Sequence, residues 1–458
     1  MDKTQIGADN LKISPSLENP EKTVKVYFGI FFDGTKNHRG QAIIGEKYRE
    51  LIETGVKKSD AKKDTGYTAN DIFKDPIEYV VGSAQQTDQS NIALLEPFYL
   101  RQKELVCTDK YLGCLYIEGI GTNEDGSLQA LGLMAGSGET GIKTKVKNTI
   151  NNKVPARIGT LGVPLKSNIE LYFELFGFSR GAAAARHCVW SVLEDQKAFL
   201  KDALLKRSFN VVLIKVDYVG LFDTVSSYSE EIIKWESGIP QRALDFNNDV
   251  TELNLNAISQ AKYVLQICAA DEFRKNFALT NIESASGLEI YMPGDHCDIG
   301  GGHPAGAYEV TLKTLDTTVY ADWQTVPSVD CLKELGWIRE TPNNYSTSSG
   351  TIKFKNKQSK GYSYISLVLM AEEANEKVDV ELFNINNINN SCPIPSSLSS
   401  LKHKAKASTS IELCASTFKD YKYDLRTNWL HFSSEKSMLN SPRIDEEKGV
   451  YERQIIPG

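Results

Sequence analysis

At 458 residues the chain has room for one large α/β domain with insertions, or for two or three smaller domains. Apolar residues make up 41% and charged residues 24%, the balance of a soluble globular protein with a sizeable core. A net charge of −7 and a pI near 5.6 argue against a dedicated nucleic-acid binder, which carries a basic face or a basic total charge. Residues 1–23 form a polar leader that lacks the apolar core of a signal peptide. No apolar run reaches the length of a membrane span, residues 365–371 being among the longest. The expectation is a protein made in the cytoplasm and exported, if it works outside, without a cleaved signal. The eight cysteines include no Cys-x-x-Cys pair and no zinc-like cluster with the six histidines, so no disulfide framework and no metal centre is expected.

In chain order, residues 24–32 (VKVYFGIFF) are a short continuous apolar run, as in a strand buried on both faces, and end in the turn signal Asp33-Gly34-Thr35. Residues 40–90 are lysine-rich with little apolar periodicity and read as an insertion or long loop. Residues 91–100 resume an apolar pattern, with Ser90 as a candidate N-cap and Pro97 limiting the helix. A second strand is expected over residues 111–117. The glycine-rich segment 132–141 looks like a phosphate loop, but Lys143 comes one place too late and no strand immediately precedes it, so it reads as a mobile loop near a cleft.

Residues 169–188 (IELYFELFGFSRGAAAARHC) organise the rest. The aromatic-rich alternation up to Leu175 predicts a strand, and Ala182 to Ala185 predict a helix. Between them stands Gly177-Phe178-Ser179-Arg180-Gly181, the Gly-x-Ser-x-Gly nucleophile elbow. The glycines are required where strand and helix backbones pass close together. Ser179 would sit at the tip with the N-terminus of the new helix beneath it, where backbone N–H groups favour developing negative charge. The competing role for Ser179 is to cap that helix.

A strand over residues 211–222 ends in Asp223, residues 227–254 read as a second insertion, and residues 257–273 show apolar spacing suited to a helix. A strand over residues 288–292 is followed by Asp295, His296, Cys297 and Asp298. Further on, residues 362–376 predict an amphipathic helix and residues 384–400 a low-complexity loop. Strands alternating with helices predict an α/β-hydrolase-like, mostly parallel sheet with flanking helices. Residues 1–23 are its leader, 24–310 its core, with insertions near 40–90 and 227–254, and 311–458 a helical and loop extension packed on that core.

In such a sheet, functional groups collect at the carboxyl ends of the strands. Four of the five predicted strands end in Asp33-Gly34, Ser179, Asp223 or His296, and Ser179…Asp223…His296 is the chain order of an α/β-hydrolase triad. A serine hydroxyl needs a base to take its proton, and a carboxylate fixes the tautomer of that base. His303 and His431 are alternative bases, and Asp295 and Asp298 alternative acids. A metal cluster of Asp295, His296, Asp298 and His303 is the remaining option. The oxyanion hole is expected from the backbone N–H of Arg180 together with one from Asp33 or Gly34.

The segments FFDGT, GIGT, GFSRGAAAAR, VGLFDTV and MPGDHCDIGGGH, in this order, resemble the type VI secretion phospholipase effectors (Tle-type) and their relatives in a widespread DUF-type hydrolase family. The resemblance runs from about Val24 to His303, with echoes in LVLMAEEA and around Trp429-Leu430-His431. Asp295 stands where the family usually has an apolar residue, and the Asn-rich turn after FDGT is kept only as Lys36-Asn37. The resemblance implies an α/β-hydrolase fold with Ser179, Asp223 and His296 as its triad, no cofactor, and cleavage of phospholipid esters of the phospholipase A type. It also implies delivery on a spike or tube component of a contractile secretion machine, a cognate immunity protein, and action in the periplasm or membrane of a target cell. The residues alone leave two other readings open, a soluble esterase or amidase using the same triad and a catalytically silent secretion adaptor.

Overall fold

The computed structural model describes residues 22–69, 84–100, 109–228, 235–236, 239–240, 250–313, 329–341, 343–348, 351–433, 443–445, 450–451 and 453–458. Six strands form the central sheet: β1 (Thr23–Phe32), β2 (Lys110–Ile117), β3 (Asn168–Phe178), β4 (Asn210–Phe222), β5 (Val264–Ala269) and β6 (Gly287–Met292). Their order is β2-β1-β3-β4-β5-β6, and every pairing is parallel. The architecture is α/β, with helices covering both faces.

The continuous apolar run of β1 follows from that double cover. Val24, Val26, Phe28, Ile30 and Phe32 enter the core that holds the elbow helix Arg180–Trp190, whereas Tyr27 and Phe31 enter the opposite core, built on helix Tyr364–Lys377. Alternation along the strand is intact, but both destinations are dry. Each buried phenylalanine contributes about 1.5–3 kcal/mol of hydrophobic stabilisation before entropy is counted.

β1 leads to β2 at one edge, and the chain then returns past β1 to lay down β3 through β6 on the other side. The loops after β1 and β3 therefore leave in opposite directions, which makes the carboxyl ends of these two strands the topological switch point of the sheet. This is where Asp33 and Ser179 stand.

Several expectations change. Residues 257–273 are not one helix: a 3-10 turn, Leu255–Gln260, is followed by β5, whose six residues are all buried. A strand covered on both faces shows no alternation and mimics a buried helix in sequence. The lysine-rich stretch after Gly40 holds helices Arg39–Glu53 and Lys58–Thr65, the first capped by His38, whose Nδ1 accepts the Gln41 N–H at 3.1 Å. Residues 70–83 lie outside the described residues, as do 1–21 and most of the 227–254 insertion. The glycine-rich segment is ordered by helices Ala130–Ala135 and Ile142–Asn148. Within 384–400, Asn384 caps helix Ile385–Ser391.

The expected boundary at 310 falls inside a strand, Gly306–Lys313, which pairs with Thr351–Gln358 in a second, antiparallel sheet. Core and extension are thus one continuous structure. Helix Tyr364–Lys377, expected from its spacing, buries Ile365 and the whole run from Leu367 to Ala371 in one of the two cores. Ser90 caps helix Asn91–Leu95 as expected, accepting the Ala93 N–H at 3.1 Å.

Candidate active site

β3 turns into the elbow helix through Ser179, whose φ of 59° and ψ of −130° lie in a region a serine rarely adopts. Such a backbone costs of order 1–3 kcal/mol and persists only where its surroundings enforce it. Two glycines make it possible. A Cβ on Gly177 would come within 2.4 Å of the Gly181 carbonyl oxygen, and one on Gly181 within 2.3 Å of that of Asp33. The turn is also stapled to β4: the Ser179 N–H donates to Phe222 O at 3.0 Å, and the Val225 N–H donates to Ser179 O at 3.3 Å. The Ser179 side chain makes no capping hydrogen bond, which removes the capping role.

The staple brings Ser179 beside Asp223, which follows β4, also has positive φ (44°) and is fully buried. Its Oδ2 lies 2.6 Å from Nδ1 of His296. Its Oδ1 accepts the Ala269 N–H from the end of β5 at 2.9 Å. The structure thus joins two of the expected residues directly, across 73 positions of sequence. With a carboxylate facing Nδ1, the proton of the neutral imidazole sits on Nδ1 and Nε2 keeps its lone pair. Nε2 is buried and has no hydrogen-bond partner among the described residues. The ring of Phe178, the residue preceding Ser179, packs on this imidazole with centroids 4.5 Å apart.

His296 opens the short helix His296–Gly300, and Asp295 caps it in a reciprocal capping box with Asp298. The rival acids therefore have other partners. Both oxygens of Asp295 lie 2.9 Å from Nε2 of His303. Asp298 Oδ1 lies 2.8 Å from Nδ1 of His431, and its Oδ2 accepts the Asp295 and His431 N–H groups at 3.0 and 2.9 Å. The two outer imidazoles stack with centroids 3.8 Å apart. Asp298, His303 and His431 each place a ligand-type atom within 4.8 Å of the others. This differs from the cluster the sequence suggested, because His296 faces Asp223 instead. His187, two turns down the elbow helix, is buried with Nδ1 2.8 Å from Leu253 O.

The oxyanion hole needs a correction. The Asp33 N–H donates to Ile117 O at 3.0 Å and the Gly34 N–H to the Asp33 carboxylate at 2.7 Å, so neither amide is available. Asp33 serves instead as a buried acceptor. Its carboxylate also takes hydrogen bonds from Asn37, Ser90 and Tyr116, at 3.1, 2.6 and 2.6 Å, and so knots the loop after β1 to β2 and to the helix at Asn91. Burial pushes this carboxyl above its ordinary range, while those donors pull it back. Among the described residues, the amides of Thr35 and Arg180 donate to no acceptor. The Arg180 side chain binds their surroundings together, reaching Thr35 Oγ1 at 2.8 Å, Gly132 O at 3.1 Å and Leu133 O at 2.5 Å.

Arg453 escaped sequence reasoning. Its Nη2 lies 2.8 and 3.0 Å from the two oxygens of Asp223. Burial pushes the Asp223 carboxyl up, but the Arg453 guanidinium, the His296 hydrogen bond and the Ala269 amide together hold it below the ordinary carboxylate range. No motif marks Arg453; the one local hint is the β-branched pair Ile455-Ile456 just after it, which forms a short strand against Leu279–Thr280.

Residues 193–319, which include Asp223 and His296, match the family model described as T6SS, phospholipase effector Tle1-like, catalytic domain. This stretch is similar to a Tle1-like catalytic domain. The match supports a phospholipase effector of type VI secretion, as the sequence motifs imply. The full chain also superposes on the structure of the Tle1 effector bound to the VgrG spike from the Type 6 secretion system. That likeness has a TM-score of 0.59 at 20% identity and covers 100% of this chain and 98% of the other, so the Tle1 fold extends through the C-terminal extension. A crystal structure of an uncharacterized protein from Pseudomonas aeruginosa is more distant, with a TM-score of 0.37 at 17% identity over 93% of this chain and 57% of its own. No curated protein sequence matches the chain.

Proposed function

We propose that the chain is a serine phospholipase of the A type, with Ser179 as nucleophile, His296 as general base and Asp223 as its orienting carboxylate. The observation that carries this reading is the 2.6 Å contact between Asp223 and His296 Nδ1, which leaves Nε2 without a partner among the described residues, on an imidazole packed against Phe178, the residue before the strained Ser179. In the first step Nε2 takes the Ser179 proton as Oγ attacks the ester carbonyl. The resulting oxyanion is held by the amides of Arg180 and Thr35. The imidazolium then protonates the departing alcohol, leaving an acyl-serine. Water, deprotonated by the same Nε2, releases the fatty acid and restores Ser179.

The partners follow the family resemblance. The substrate is membrane phospholipid, the carrier a spike component of the kind seen with Tle1, and an immunity protein restrains the enzyme in the producing cell.

The test is a fluorophosphonate probe with phospholipid vesicles. Wild-type protein is labelled at Ser179 and releases fatty acid and lysophospholipid, whereas folded Ser179→Ala is unlabelled and about 10⁴–10⁶-fold slower. Undiminished hydrolysis by Ser179→Ala would rule out the triad. Labelling with activity only on short soluble esters would leave a serine esterase of another substrate class.

A further inference from the structure

Beyond the three proposed catalytic groups, the chain feeds one more charged residue into the site from its C-terminal segment. Strand Ile455–Ile456 pairs in parallel with Leu279–Thr280, and the Leu279 N–H donates to Gln454 O at 2.8 Å. This anchoring carries Arg453 beneath the site, where its side chain is 1% exposed and that of Asp223 is not exposed at all. Nη2 bridges both carboxylate oxygens at 2.8 and 3.0 Å, and Nη1 reaches Glu272 O at 3.5 Å. With Arg453 and the Ala269 N–H both on Oδ1, the carboxylate is locked about its χ2 axis, and Oδ2 is turned toward Nδ1 of His296.

We propose that Arg453 is a positioning residue of this active site, which acts through Asp223 to hold the Asp223–His296 pair in its working geometry and ionisation state. The inference rests on the triad reading given above. A carboxylate with no exposed surface is costly unless paired and hydrogen-bonded. Among the groups around it, Arg453 supplies the cation. Glu272 accepts the His296 N–H at 3.2 Å and is itself neutralised by Arg274 at 2.6 Å. Lys36 lies toward Cys297 and Arg274, Cys268 faces Asp223 from β5, and Asp295 and Asp298 are engaged by His303 and His431. Removing the Arg453 charge leaves the pair more negative, so the pair binds a proton more tightly and loses its basic form at higher pH.

The experiment follows the pH dependence of ester hydrolysis and of fluorophosphonate labelling at Ser179. It uses full-length wild type, Arg453→Gln, Arg453→Lys, Asp223→Asn and the Asp223→Asn/Arg453→Gln double variant, with thermal melts to establish folding. Arg453→Gln should lower kcat about 10–100-fold with KM within about 3-fold. The ascending limb of its kcat/KM profile should move to higher pH by about one unit. Arg453→Lys should keep the limb near its wild-type position while recovering only part of kcat, because an ammonium lacks the planar geometry of the guanidinium. In the Asp223→Asn background, Arg453→Gln should change the rate by less than about 3-fold, because its route to the chemistry is already cut. A folded Arg453→Gln enzyme with wild-type kcat and an unmoved limb overturns the inference. So does an equal loss of rate in the Asp223→Asn background, which would mark a merely structural ion pair. If Arg453→Gln does not fold, Arg453→Lys decides: a wild-type kcat overturns the proposal, and a lowered kcat with an unmoved limb upholds it. Wild-type protein that is never labelled at Ser179 overturns the hydrolase reading and this inference together, whereas normal wild-type labelling with an unaffected Arg453 variant overturns this inference alone.

Discussion

A methyl group on Gly181 would sit 2.3 Å from the Asp33 carbonyl oxygen and 2.4 Å from that of Phe32, both of them backbone atoms that cannot swing aside. Gly181→Ala must therefore push the elbow helix away from the end of β1, separating the Arg180 amide from the Thr35 amide. The expected destabilisation is about 1–3 kcal/mol, as for other overpacked sites. The loss of esterase activity should exceed what the unfolded fraction explains, and a thermal melt run alongside an assay well below the melting temperature measures both. The need for these glycines was legible in the sequence, because close backbone approach leaves a glycine pattern. Ser179, Asp223 and His296 stood out as candidates for a related reason, each standing at or just after the end of a strand. Of the two proposed oxyanion amides, that of Arg180 was expected beside the elbow but that of Thr35 was not, because an amide carries no residue-type signal: unlike the amides of Asp33 and Gly34, that of Thr35 meets no acceptor among the described residues.

Among the elements, the short helix His296–Gly300 shows how a candidate base can be held in place. Asp295 caps it from within, while His303 and His431 grip Asp295 and Asp298 from outside. Burial works against the charged form of His303, but Asp295 outweighs burial and raises its pKa. For Asp295, burial raises and the two histidines lower, with the lowering dominant. The raised histidine contributes stability that is complete below its unfolded value, near 6.5, and is lost as pH climbs through its folded value. The depressed carboxyl contributes above its unfolded value, near 3.9, and loses that contribution as pH falls through its folded value. Together they define a window from about pH 4 to somewhat above pH 6.5. His303→Gln should lower the melting temperature most at pH 5–6 and much less at pH 9, and melts across that range check it. A difference that grows toward pH 9 would contradict the charged pairing. β5 was misread as part of a helix because all six of its residues are buried and nothing alternates, whereas helix Tyr364–Lys377 was read correctly from the polar residues that interrupt it.

At the scale of the whole molecule, no helix among the described residues is long and apolar enough to cross a membrane. The toxicity predicted for the proposed phospholipase is expected to come from cutting esters. Fusion to a periplasmic export signal should make expression harmful to a Gram-negative host, cytoplasmic expression should be tolerated, and Ser179→Ala should abolish the difference. Growth curves with released lysophospholipid as the readout decide it, and equal harm from both compartments would refute the effector reading. The parallel sheet and its helical cover could be foreseen from strand and helix patterns, and an extension packed on the core was expected, but the pairing that ties the tail to Asp223 could not. The hydrogen bond between Arg453 and Asp223 spans 230 positions, and neither end advertises the other. That span also has a temporal meaning. A ribosome hands over Asp223 and His296 well before Arg453, a lag of about ten to thirty seconds at ordinary elongation rates. Throughout that interval the nascent chain holds Ser179, Asp223 and His296 without the guanidinium that Asp223 binds in the folded structure. The Asp223 carboxylate is therefore paired only once the segment carrying Arg453 has left the ribosome, so the proposed active site would be completed later than the strands that carry it.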